Sequence, residues 1–302
     1  MRLTIGGRRP VAVDLVSARN LAAFGVACLA LAWAIINTCA LGVVFGDARS
    51  YWLEWHGPLY EPNTPLWLPH FVYAPPAALA FWPLAQLPEV AFVVAWAALG
   101  TVAYVWLLAP LPLPSRIPAT LAGVVFALNG NIEWLLALVV LFGRRWPPLW
   151  LVALFTKVSP FLGFGWFVIR GQWRAVVMTL AIGIALIVVS EFALPGAWAT
   201  WIRMVLMFHG QADAVQSYLM PLGPFPVRFV IAGALLVWAS WRDRPAALPV
   251  VVLLCQPDMQ PWALGFLAAM PRLLSWHSGH DPHGRLVPGD AAEGHTALPA
   301  SV

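Results

Sequence analysis

Long apolar blocks set between arginines limit what this chain can fold into more than any other feature. One block covers residues 21–44, after Arg2, Arg8, Arg9 and Arg19; others cover residues 89–108, 119–142, 146–169, 175–189 and 225–240. A helix of about 20 apolar residues crosses about 30 Å of hydrocarbon. In lipid the backbone must satisfy its own polar groups, so such blocks are helices. The chain is 61% hydrophobic and 10% charged, with mean hydropathy +0.78, against about 25% charged in an ordinary soluble domain. The sequence therefore predicts an all-α, polytopic membrane helix bundle.

The net charge of +4 does not point to nucleic acid, because the arginines flank apolar blocks and orient them by the positive-inside rule. The first block is too long for a signal-peptide core and no A-x-A site closes it, so it reads as a retained span with a cytoplasmic N-terminal flank. Cys28, Cys39 and Cys255 lie in apolar sequence without metal-type spacing. They read as small packing residues, with no disulfide.

Several blocks are broken. Residues 119–142 are interrupted at "LNGNIEW" and end at Arg144 and Arg145; residues 146–169 are interrupted at "TKVSP" and end at Arg170 and Arg174. Basic flanks at both ends place the two ends of the second block on one side. It is expected to rise and return as two short helices meeting at Lys157, Val158, Ser159 and Pro160. A third break falls at "CQPDMQPW". The helix in "FVYAPPAALAFWPLAQLP" should open after Pro75 and Pro76 and is short for a crossing. In "SEFALPGAWATWIRMVLMFHGQ", Trp198, Trp201 and Met204 share a helical face, as in an interfacial helix. Eight to ten helical elements are expected, several of half length, with an interfacial loop after the first span. Residues 1–274 read as one integral membrane domain and residues 275–302 as a polar tail of disordered composition. Broken helices at membrane depth persist where they line a protein-enclosed cavity, so three breaks predict one.

Two residues stand out chemically. Asp47 directly follows the first span, where a partly desolvated carboxylate suits a general base acting on a sugar hydroxyl; a helix cap or solvated loop acid is the bland alternative. Tyr51, Trp55, His56, Tyr60, His70 and Tyr73 follow it. They suit stacking on sugar rings and bonding to hydroxyls, and equally an interfacial aromatic belt. Lys157 is the only lysine among 302 residues. A lysine near the bilayer centre costs roughly 2.5–3.5 kcal/mol on insertion scales, unless it snorkels to the interface. Beside Ser159, at the tip of two half-helices, its ammonium suits a phosphate arriving in the plane of the membrane. Arg203, next to the interfacial tryptophans, suits a phosphate or an anionic headgroup. Glu133, Glu191 and Asp258 are further acids in or beside apolar blocks, each with an unnamed partner. His277, His280 and His283 in the tail read as incidental rather than as a metal site. No P-loop, no strand-linked GxGxxG, no GxSxG and no HExxH occurs, which disfavours a nucleotide-dependent cytoplasmic enzyme.

Together these pieces resemble the GT-C superfamily of membrane glycosyltransferases, and within it glycosyltransferase family 87, the polyprenyl-phosphate-mannose-dependent α-mannosyltransferases and their relatives. The resemblance rests on "GDARSYWLEWHGPLYEP", with Asp47, Gly57, Leu59, Tyr60 and Pro62, and on Tyr73, Pro75 and Pro76 followed by Pro83 to Pro88. It continues with Asn131 in "NGNIEW", with Lys157, Val158 and Pro160, and with Gln216 and Ser217. It runs from about Val11 to Leu274. This chain is shorter than the family's common length. It has "CQPDMQPW" where the family often carries a histidine-bearing segment, so Asp258 or Gln260 is the candidate substitute there.

The resemblance implies a GT-C bundle and an inverting transfer of a sugar, mannose being the family's commonest, outside the cytoplasm. The donor would be a polyprenyl-phosphate sugar and the acceptor an envelope glycolipid or glycan, with no cofactor and no metal. It implies Asp47 as base. Donor phosphate-binding would fall to Lys157, Ser159 and Arg203. Acceptor and sugar binding would fall to Tyr51, Trp55, His56, Tyr60, His70, Tyr73, Asn131, Gln216 and Asp258. The implied location is the bacterial cell membrane, multi-pass, with the bilayer as partner and no nucleic acid. A flippase or transporter of a lipid-linked sugar, or a scaffold relative without turnover, would use the same cavity without needing Asp47 as base.

Overall fold

The computed structural model describes residues 15–41, 45–57, 59–60, 71–209, 223–257 and 261–277. The described residues form a helix bundle without strands. Its α-helices are α1 (Leu15–Leu41), α2 (Gly46–Leu53), α3 (Pro75–Ala85), α4 (Glu89–Leu108), α5 (Leu113–Leu128), α6 (Glu133–Phe142), α7 (Trp150–Thr156), α8 (Gly165–Ile169), α9 (Trp173–Ala193), α10 (Ala197–His209), α11 (Phe225–Trp241), α12 (Leu248–Leu254) and α13 (Met270–His277). Short 3-10 turns join several of them, the longest at Ser159–Phe164 and Pro261–Ala269. The elements outnumber the eight to ten expected because apolar blocks break at prolines and at short 3-10 turns. His70, Gln216 and Asp258 lie outside the described residues, as does the tail beyond residue 277; α13 itself carries on to His277.

Among the described residues two helices, α4 and α9, are long and apolar enough to cross a membrane alone. The α5–α6 pair passes the same test as one unit but is bent by 119° at its break. Both α3 and α5 carry proline in their first turn, Pro75 and Pro76 in one and Pro114 in the other, where its fixed φ and missing N–H cost the helix nothing. The shared core is formed by α4, α5, α6, α7 and α12 with the turn Pro261–Ala269.

The block after α6 folds back on itself. Trp150 opens α7, and its indole lies against Gly163, thirteen residues on, where a Cβ would collide with the ring. Arg144, before the block, and Arg170, after it, both place their guanidinium over the Trp166 ring, at 5.5 and 5.4 Å. The two ends of the block therefore share one side, and Lys157 stands near the turning point.

This gives the bundle two chemically distinct ends. At one end, Arg170 donates to Asp243 Oδ1 at 2.9 Å and to the Ser240 carbonyl at 3.0 Å. There too Arg145 lies over Trp276, and Arg272 lies over Trp106 while donating to its carbonyl at 3.0 Å. The opposite end collects α2, the start of α3, the α5–α6 break and the Lys157 break. Helix α10 covers part of it. Trp198 donates to Ser190 Oγ (2.9 Å), Trp201 to the Val72 carbonyl (3.0 Å), and Met204 is buried between helices, so the predicted shared face turns inward.

Candidate functional site

The site is built from backbone contacts between segments far apart in sequence. Phe45, with φ of 64°, turns the chain out of the α1 region, and its N–H bonds to the Leu128 carbonyl at 2.9 Å. Asp47 N–H then reaches the Asn129 carbonyl at 3.3 Å. Gly130 has φ of +84° and lies so close to Ala48 that a Cβ would strike the Ala48 backbone, so only glycine fits between α2 and the α5–α6 break. Asp47 is thereby held in the first turn of α2, half-buried, where the helix dipole favours a carboxylate. Ser50 Oγ donates to the Asp47 carbonyl at 2.7 Å and ties down that turn.

Beside Asp47 stands a packed aromatic wall. Tyr51 stacks on Phe81 at 4.8 Å and meets Trp96 edge-on at 5.5 Å, while Trp96 Nε1 donates to the Gly130 carbonyl at 2.9 Å. The Tyr51 and Tyr73 hydroxyls are 2.9 Å apart. Burial pushes both phenols up from their ordinary range, helped by the Asp47 and Glu133 charges, while Lys157 pulls Tyr73 the other way. Ala74 N–H bonds to the Phe155 carbonyl at 2.8 Å, which fastens the Tyr73 segment to the last turn of α7, next to Lys157.

Lys157 ends α7 in extended backbone, and its Nζ forms an ion pair with Glu133 Oε1. The Glu133 side chain is 0% exposed, that of Lys157 22%. Glu133 opens α6, where its charge meets the positive end of the helix dipole. Its other oxygen, Oε2, is buried without a hydrogen-bond partner among the described residues, as are Asn131 Oδ1 and the Tyr104 hydroxyl. Tyr104 and the Glu133 Cβ both lie against Gly265, so a buried phenol stands behind the carboxylate.

The structure sorts the predicted residues. Asp47, Tyr51, Tyr73, Asn131 and Lys157 gather at one end of the bundle. Ser159 is half-buried at the same break, its carbonyl accepting from Cys255 Sγ at 3.0 Å. Trp55 gives its indole N–H to the Ala78 carbonyl at 3.0 Å, and His56 is exposed and stacked on Trp52 at 3.7 Å. Tyr60, at φ of 59°, is buried, and its hydroxyl donates to the Tyr73 carbonyl at 2.8 Å. These three brace the aromatic segment. Arg203 is exposed on α10 and bonds to Ala199 and Thr200 of its own helix. Glu133 is the residue that sequence reading flagged without assigning. Its signal was the presence of two opposite intramembrane charges, each at a break.

A large apolar cavity of about 850 Å³ lies elsewhere, between α1, α5, Pro261–Ala269 and α13. Ala27, Ala122, Phe126 and Leu267 line it with Tyr104 and Gly265, and no charged residue does. Tyr104 and Gly265, which lie against the Glu133 side chain, stand between it and the polar cluster.

No curated protein and no solved structure matches the chain. The family model of glycosyltransferase family 87 matches residues 71–286. That span holds Tyr73, Asn131, Glu133 and Lys157 and begins after Asp47. With most of its length matched, this helix bundle belongs to glycosyltransferase family 87 and is a membrane glycosyltransferase.

Proposed function

We propose that the protein transfers a sugar, mannose in the first instance, from a polyprenyl-phosphate donor to a glycolipid or glycan of the cell envelope. The reaction runs on the extracytoplasmic side of the cell membrane with inversion. The observation that supports this reading is that the bonded Tyr51 and Tyr73 hydroxyls link α2, which carries the half-buried carboxylate of Asp47, to the segment fastened beside the ammonium-bearing Lys157. A carboxylate accepts a proton and a fixed cation receives a developing negative charge; inverting transfer from a lipid phosphate needs both. The acceptor oxygen bonds to the anomeric carbon as its proton passes to Asp47. The bond between that carbon and the phosphate oxygen breaks, and its electron pair goes to the phosphate near Lys157. The Arg144, Arg145 and Arg170 end suits the cytoplasmic leaflet, which leaves the site at the other face. The charge-free cavity suits an isoprenoid tail.

The test is sugar transfer in membranes expressing the chain, with radiolabelled polyprenyl-phosphate-mannose and native envelope lipids, wild type beside Asp47→Asn. Labelled glycolipid from wild type, and none from the variant at equal expression, is expected. Equal transfer by both removes Asp47 from the mechanism. Lipid translocation without transfer assigns a flippase instead. If mannose is not transferred, a panel of other lipid-linked sugars decides whether the donor class itself is wrong.

A further inference from the structure

We propose that Glu133 is a positioning residue that balances the charge of Lys157, so that the site releases its spent lipid phosphate. The inference rests on the donor class proposed above.

The argument starts from charge. A sugar joined to a lipid through one phosphate is a phosphodiester and carries one negative charge. When the glycosidic bond breaks, the leaving group becomes a phosphate monoester, whose charge at neutral pH is about −1.5 to −2. A lone ammonium in a water-poor site would hold this product more tightly than the substrate, because Coulomb attraction grows as the local dielectric falls. Product release would then limit turnover, as it does in many enzymes.

The structure holds a counterweight. Glu133 Oε1 pairs with Lys157, while its side chain is fully buried and its Oε2 has no hydrogen-bond partner among the described residues. The carboxylate sits on the buried side of the ammonium, and Lys157, at 22% side-chain exposure, keeps an exposed part. A pair made only for stability would be expected to satisfy both carboxylate oxygens. Among the described residues Lys157 is the ion-pair partner of Glu133, so the carboxylate charge also acts on any anion on the far side of the ammonium. Glu133 also fixes the ammonium between two helix breaks, and so keeps it where the bond to phosphate is broken.

Removing the carboxylate charge should therefore tighten product binding and slow turnover together. A merely structural role would weaken both. The probe is farnesyl phosphate, a short isoprenyl monophosphate, titrated against the purified full chain in lipid nanodiscs. Wild type is compared with Glu133→Gln, Lys157→Met and the double variant. Glu133→Gln is expected to bind about tenfold more tightly, given the strength of a charge at this range. Its KM and kcat for the lipid-linked sugar should both fall. Lys157→Met and the double variant should lose binding alike. If Glu133→Gln does not fold, Glu133→Asp, which withdraws the charge by one methylene, should tighten binding by a smaller factor. Unchanged or weaker binding in a folded Gln or Asp variant, while wild type binds, overturns this inference alone. Absence of binding by wild type and by the folded Glu133 variants alike overturns the lipid-phosphate reading and this inference with it.

Discussion

The hydroxyls of Tyr51 and Tyr73 meet at 2.9 Å, joining a helix that follows the first apolar block to the segment that enters α3. Each is buried; Tyr51 lies one turn after Asp47 on α2, and the Tyr73 segment is fastened beside Lys157 by the Ala74–Phe155 bond. Tyr51→Phe should leave the Tyr73 hydroxyl without this partner and lower stability by about 1–3 kcal/mol, the range for an orphaned buried polar group. Thermal unfolding in detergent measures this, and transfer activity should fall with it.

Lys157→Met leaves Glu133 as a buried, uncompensated charge. A loss of about 3–5 kcal/mol is expected, because breaking a buried pair from one side strands the other charge. Turnover should drop about 10²–10³-fold if the ammonium acts as a single electrostatic donor does. Adding Glu133→Gln should restore much of the stability and none of the turnover, a separation read by melting temperature and transfer rate on the same samples.

Glu54 supplies a pH dependence. Its carboxyl is buried beside Tyr60 and accepts that residue's N–H at 3.1 Å, and burial raises its pKa from 4.5 to about 8. Folding therefore takes up a proton in this range. The stabilising contribution is fully present below about 4.5 and is lost as pH rises through about 8. The wild-type melting temperature should decline between pH 5 and pH 9, and Glu54→Gln should flatten that decline. Equal slopes in the two proteins would show that another group carries it.

Two glycines should respond in opposite directions. Gly163 lies under the Trp150 indole, so Gly163→Ala forces the returning hairpin apart and costs about 1–3 kcal/mol by overpacking. Gly233, in α11, faces open space, with nothing within 4 Å of where a methyl group would sit. Gly233→Ala should raise stability by about 0.5–1 kcal/mol through helix propensity alone. The two melting curves, run side by side, test whether the block from Trp150 onward turns back as described.

What the sequence could tell depended on how local the cause was. The bounds of α4 are those of the apolar block at residues 89–108, and α3 opens at Pro75, because hydropathy and proline chemistry act within a few residues. The turn at Lys157 was legible from the two basic flanks. The pairing of Lys157 with Glu133 was not. It spans 24 positions and depends on how α7 packs against α6 across the turn that joins them, a placement that residue types do not specify. For Trp55 and His56 sugar binding and an interfacial aromatic belt read alike in sequence, because both use polar aromatics. Only the fold reveals that the Trp55 N–H is already used by Ala78 and that the His56 ring lies on Trp52.

The order of the ion pair along the chain also bears on how the protein is made. Glu133 leaves the ribosome before Lys157, so the first broken pair reaches the membrane with a carboxylate that has no cation yet to answer it. An acid is expensive at that depth. The earlier hairpin therefore gains the partner of its carboxylate only when the later one arrives beside it.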